Sequence, residues 1–299
     1  MNAFAASARH EALNIRRSRT AHILLWVFVG MVLVSSLIGW ITNRTVTGVF
    51  DRIRAEGLTS QPNPFTGVSP LTYERNTVIY VLLIGALMAV VLGAQASLRD
   101  RKSGTSALVL SRPVGTASRL LGQLAGIGAV LGVVLGGSVG ASWVVLGIID
   151  AAPLGPEHTL RLLAFAALSW VLLMAFAVLG MLTGLVSRSE TTALLVSFVL
   201  WSAIAFVVPQ LGTAARPVTL LGPVPHPAAT GGWFDAVAAV TGPLAVTEQY
   251  KRAAGVLLQD RNAQAGDWTG ALVVAAALLI LVLVLAVTPR RRLRRPLDE

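Results

Sequence analysis

Six apolar runs of spanning length follow one another along the chain, at about 22–41, 77–97, 120–149, 162–186, 191–211 and 270–288, with polar segments between them. A helix needs about 20 residues to cross a hydrocarbon layer, and each run meets that length. The pattern predicts an all-α polytopic membrane protein with six transmembrane helices, forming one membrane domain over residues 1–299. The third run is the longest, so it should tilt or project beyond the bilayer.

The segments between the runs carry their own patterns. Phe4, Ala8, Ala12 and Ile15 recur at helical spacing, which favours an amphipathic N-terminal helix within 1–21, lying along the membrane interface, over a frayed basic tail. Residues 42–76 read as a loop, broken by Gln61-Pro62-Asn63-Pro64 and Ser69-Pro70. Residues 150–161 make a short turn. Ser187-Arg188-Ser189-Glu190 is shorter still, so spans four and five form an antiparallel hairpin. The segment 212–269 is the longest between spans. Pro217, Pro223, Pro225 and Pro227 make its first part irregular. From Pro243 to Gln259, Val246, Tyr250, Ala253 and Leu257 share one helical face, predicting one or two helices, with Trp233, Phe234 and Trp268 suited to headgroup depth. No repeat is evident.

Composition agrees with the pattern. The chain is 55% hydrophobic and only 13% charged, whereas soluble proteins carry about 25% charged residues. The net charge of +10 has two readings, nucleic-acid binding or topology, and its distribution decides between them. With the N-terminus inside, segments 1–21, 98–119, 187–190 and 289–299 hold 15 basic and 5 acidic residues. Segments 42–76, 150–161 and 212–269 hold 9 of each. The whole excess therefore lies on one side, which sets both termini in the cytoplasm of a cell (plasma) membrane protein and leaves no basic patch for nucleic acid. Arg16, Arg17 and Arg19 precede a first run too long for a cleavable signal peptide.

Candidate chemistry is sparse. As delimited, none of the six runs contains Asp, Glu, Lys or Arg, which speaks against a proton relay or intramembrane hydrolysis. Ser35, Ser36, Ser142, Ser169, Thr183, Ser197 and Ser202, with Gln95 and Gln123 near the inner ends, read as helix–helix hydrogen-bonding residues. Gly122, Gly126, Gly128, Gly132, Gly136 and Gly140 on the third span, and Gly180 with Gly184 on the fourth, read as helix-packing positions, with a face that slides against a second copy as the alternative. There is no cysteine, and His10, His22, His158 and His226 have no metal-ligand spacing, so catalytic and metal sites are not expected. No GxxxxGK[ST] loop is present to cradle nucleotide phosphates.

One segment stands apart, Gln95 to Arg119, between spans two and three. It carries Arg99, Arg101, Lys102, Arg112 and Arg119 against Asp100. Asp100 suits the start of a short helix, Pro113 ends it, and Leu108 and Leu110 are apolar knobs for a groove on a soluble partner. Asp100, Gly104-Thr105, Leu108, Leu110, Ser111-Arg112-Pro113-Val114 and Gly122 follow the order seen in ABC-2-type (type V) ABC transporter permeases, including NosY-like six-span members, which the segment resembles. Glu11 with Arg16-Arg17-Ser18-Arg19, and Gly184 to Ser189, are similar to that family's connecting helix and to its turn between spans four and five.

The resemblance implies a coupling helix within 98–118 that meets an ATP-binding-cassette ATPase subunit through Arg99, Asp100, Arg101, Lys102, Gly104, Thr105, Leu108, Leu110, Ser111, Arg112 and Pro113. It further implies a dimer of permease copies or siblings in membrane lipid. ATP and magnesium would be bound by the partner, leaving no cofactor on this chain. Ser106, Ala107, Val109 and Gly115-Thr116 depart from the family pattern, which bears on the register of the ATPase contact. The rival reading is a six-span scaffold or assembly protein without an ATPase.

Overall fold

The computed structural model describes residues 3–63, 69–102, 115–149, 154–212, 222–223, 225, 232–261 and 263–288. Nine helices organise them. Helix α1 is Ala3–Arg17 and α2 is Arg19–Ala55. Helix α3 is continuous through Thr77–Tyr80, a π turn Val81–Gly85 and Ala86–Lys102. Helix α4 is Thr116–Ile149 and α5 is Pro156–Val186. Helix α6 joins Glu190–Ser202, a second π turn Ala203–Val207 and Val208–Gly212. Helices α7, α8 and α9 are Trp233–Leu244, Val246–Leu257 and Thr269–Ala286. Six of them, α2 to α6 and α9, are long and apolar enough to cross a membrane. Among the described residues there is no strand.

Two spans extend beyond what hydropathy marks. Helix α2 has 37 residues, about 55 Å of helix at 1.5 Å per residue, against a hydrocarbon layer of about 30 Å. Residues 42–55 therefore continue the helix rather than loop back. No proline interrupts them, and the helix stops only where Gly57 takes φ +73° after the cap at Glu56. Span two likewise begins early. Ser69 caps a 3₁₀ turn over Pro70–Asn76 that runs straight into α3. Glu74 thus falls inside this span and is buried, correcting the expectation of a span free of charge.

Helices α3 and α5 form the centre, and α5 also packs on α4, α6, α8 and α9. A Cβ added at Gly180 would collide with the Val90 carbonyl, and one at Gly93 with the Ala177 carbonyl. At Gly184 it would lie 2.9 Å from the Ala94 carbonyl. The matched steps 90 to 180 and 94 to 184 mean that α3 and α5 run parallel with their backbones nearly touching. Where lipid supplies no hydrophobic drive, this contact rests on dispersion and hydrogen bonds.

Hydroxyls bridge other pairs: Thr183 with Ser197 joins α5 to α6, and Ser169 with Tyr250, at 2.8 Å, joins α5 to α8. Carbonyls within the π turns are also met, as Trp201 Nε1 donates to Leu82 O and Thr247 Oγ1 to Ile204 O. The bundle's outer faces, such as Leu272, Leu279 and Ile280 of α9, are exposed and apolar, as a lipid environment requires.

Candidate transmission site at the basic end of the bundle

The site grows from glycines on the first half of α4. A Cβ at Gly122 would sit 2.8 Å from Ser7 Cβ, and one at Gly126 2.8 Å from Glu11 Cβ and against the Ala8 carbonyl. Their absence lets α1 lie directly on α4, running parallel to it. Glu11 shares the face of α1 that carries Ala8 and Ile15, so the contact buries its carboxylate to 2% exposure. A carboxylate removed from water needs a cation. Arg99, in the last turns of α3, provides it through a direct Nη2–Oε1 contact.

Two residues on, Arg101 performs a different task. Its guanidinium is buried and donates to Gly184 O at 2.8 Å and Ser187 O at 2.6 Å. These carbonyls end α5, where backbone acceptors lose their intrahelical partners and a cation is favoured by the dipole. Ser97 Oγ donates to Met181 O at 2.9 Å one turn earlier. The end of α3 is thus fastened to α5 by three donated hydrogen bonds and to α1 by an ion pair, while α1 rests on α4. The segment 103–114 leaves this block at Lys102 and re-enters it at Thr116.

The residues singled out from the sequence are placed unevenly. Arg99 and Arg101 face inward, onto Glu11 and the end of α5. Asp100 and Lys102 fall in the last turn of α3, which corrects the expectation that Asp100 opens a short helix of its own, because α3 continues without a break to Lys102. Gly104, Thr105, Leu108, Leu110, Ser111, Arg112 and Pro113 lie outside the described residues. The glycine stripe divides. Gly122 and Gly126 face α1, Gly128 and Gly132 face Trp170, and Gly180 and Gly184 face α3. Gly136 and Gly140 have no described neighbour within 4 Å, because α4 turns this face outward there. Trp170 Nε1 also donates to Gly128 O, which ties α5 to α4 below that point.

Sequence reasoning missed three buried ionisable groups. Glu74 lies between α2, α3 and α4, accepting from Ser36 and, at 2.8 Å, from Thr77, with Ser142 beside them. Its signal was the acid just ahead of the second apolar run. Glu248 and Lys251 pair at 2.8 Å on α8, both nearly inaccessible, and their spacing of three residues was the available clue. Burial also pushes the Tyr250 phenol upward on the same helix, outside the six spans. No group of His, Asp and Glu among the described residues could hold a metal ion.

Comparison with known families adds a match that covers nearly the whole chain. Residues 5–291 fit the model of the family described as ABC-2 family transporter protein. A search of the curated proteins finds no matching relative.

Proposed function

Since the chain belongs to the ABC-2 family of transporter proteins, we propose that it is the permease subunit of an exporter powered by a separate ABC ATPase. The observation that carries this reading is the clamp at the basic end: Arg99 on Glu11 and Arg101 on the last carbonyls of α5. A polypeptide linker that only joined two spans would not need its root fixed to two other helices, one of which rests on a third. A lever does, because a push at 103–114 must move α3, α4 and α5 rather than bend the end of one of them.

In this reading the basic end faces the cytoplasm, which the charge asymmetry favours. ATPase closure pushes the coupling segment through Leu108 and Leu110. The α1–α3–α4–α5 block tilts, and a path opens between two permease copies or siblings. The cargo is hydrophobic or amphipathic and leaves the cell. No nucleotide binds to this chain.

Two experiments test it. The absence of native cysteine allows single cysteines to report sidedness without background. In intact cells, an impermeant maleimide should label Leu58→Cys and spare Ser106→Cys, and the reverse pattern would overturn the orientation. Co-expression with an ABC ATPase should yield a complex that Leu108→Asp or Gly104→Pro dissociates. A stable complex in both variants, with transport intact, would remove the coupling role.

A further inference from the structure

At the end of the bundle opposite the clamp, α2 and the 3₁₀ turn Pro70–Asn76 diverge and leave a groove of about 360 Å³. Gly39 closes its deep end, where an added Cβ would lie 2.5 Å from the Tyr73 carbonyl. Asn43 donates to the Tyr73 hydroxyl at 3.1 Å and ties the two walls to each other. Gly39, Thr42, Asn43 and Val46 form one wall, a single face of α2 at helical spacing. Arg75, Asn76 and the turn that carries Asp260 and Arg261 form the others.

Charge and depth identify an occupant. Two arginines face one aspartate, a net positive balance. Arg75 Nη1 forms an ion pair with Asp260 Oδ2 at 3.7 Å, beyond hydrogen-bonding distance, and Arg261 is exposed. Polarity changes along α2 at this same level. Leu37, Ile38 and Ile41 are exposed and apolar, whereas Arg44, Asp51, Arg52 and Arg54 follow within the next turns. Arg44 covers the Trp40 ring at 5.4 Å, and a tryptophan with a neighbouring arginine marks the headgroup layer. The groove therefore opens where hydrocarbon gives way to headgroups.

We propose that it binds the phosphodiester headgroup of a membrane phospholipid in the leaflet at this end. Arg261 and Arg75 grip the phosphate, since a guanidinium fork matches its oxygens. Asn43 and Asn76 meet the glycerol and ester oxygens. The site is independent of the transport reading, because it needs only the membrane.

The test uses the full-length chain, purified in mild detergent, stripped of lipid and examined by native mass spectrometry. Phosphatidylglycerol should bind at least tenfold more tightly than diacylglycerol of the same acyl chains. Arg261→Gln should lower phosphatidylglycerol affinity about tenfold and leave diacylglycerol unaffected, and Val46→Trp, which fills the groove, should lower phosphatidylglycerol affinity about tenfold. Equal retention of the two lipids by the unaltered chain overturns the proposal, whatever the variants do. So does wild-type phosphatidylglycerol affinity in both variants. Displacement of the lipid by an equal concentration of inorganic phosphate would assign the site to a free anion and overturn the lipid reading.

Discussion

Replacing Arg101 with methionine isolates the contribution of the clamp. Methionine keeps the unbranched apolar stem and loses only the guanidinium head, so any cavity is confined to the place of that head. What is lost is a buried cation that donates at 2.8 Å and 2.6 Å to two terminal carbonyls of α5. A hydrogen bond from a charged donor contributes about 1.5–3 kcal/mol, and the two carbonyls lie where water is scarce. We expect a loss of about 3 kcal/mol, which for a chain of this size lowers the melting temperature by about 5–10 °C. Arg101→Lys, able to reach one carbonyl but not both, should fall about midway. The assay is thermal unfolding in detergent, followed by intrinsic fluorescence, with heating rates matched across variants. On the proposed coupling, a functional readout separates a lever from a mere cap: ATP hydrolysis by a co-expressed ATPase should persist while transport falls more steeply than the folded fraction. If Arg101→Met melts within about 1 °C of the parent and transports normally, the clamp carries neither stability nor force.

Gly93→Val and Gly180→Val should abolish a monodisperse size-exclusion peak, because each new side chain meets backbone rather than a flexible neighbour, whereas Gly136→Ala should elute as the parent does. Glu74→Gln keeps partners for Ser36 and Thr77 and should cost under about 1 kcal/mol, while Glu74→Leu should cost about 1–3 kcal/mol by stranding buried hydroxyls. Equal melting of these two variants would refute the network. Glu11→Gln and Arg99→Met should each destabilise by about 3–5 kcal/mol, and the double substitution by less than their sum. Strict additivity would show that the pair is not coupled.

Much of this protein was legible in its sequence. The spans follow from uninterrupted apolar runs, because a helix is the form in which a lone segment satisfies its backbone in lipid. The hairpin at Ser187–Glu190 followed from the shortness of the polar break, and the helical face of Tyr250, Ala253 and Leu257 from period alone. The family itself was legible from short patches around Asp100–Pro113 and Glu11, as the match over residues 5–291 bears out.

Pairing between distant segments was not legible. Arg99 and Arg101 looked alike in the sequence, two cations in one basic segment. One neutralises Glu11 from 88 positions away, and the other caps a helix that ends some 85 positions later. Hydropathy could not place Glu74 inside a span, because window averages end a membrane segment at the first charge, whereas packing lets three hydroxyl-bearing residues shelter it. Nor could small-residue spacing say which glycines meet a neighbour. Gly126 and Gly136 are equivalent by pattern, but only Gly126 lies under α1. Periodicity fixes which residues share a face, and only the docking of helices against one another decides what that face touches.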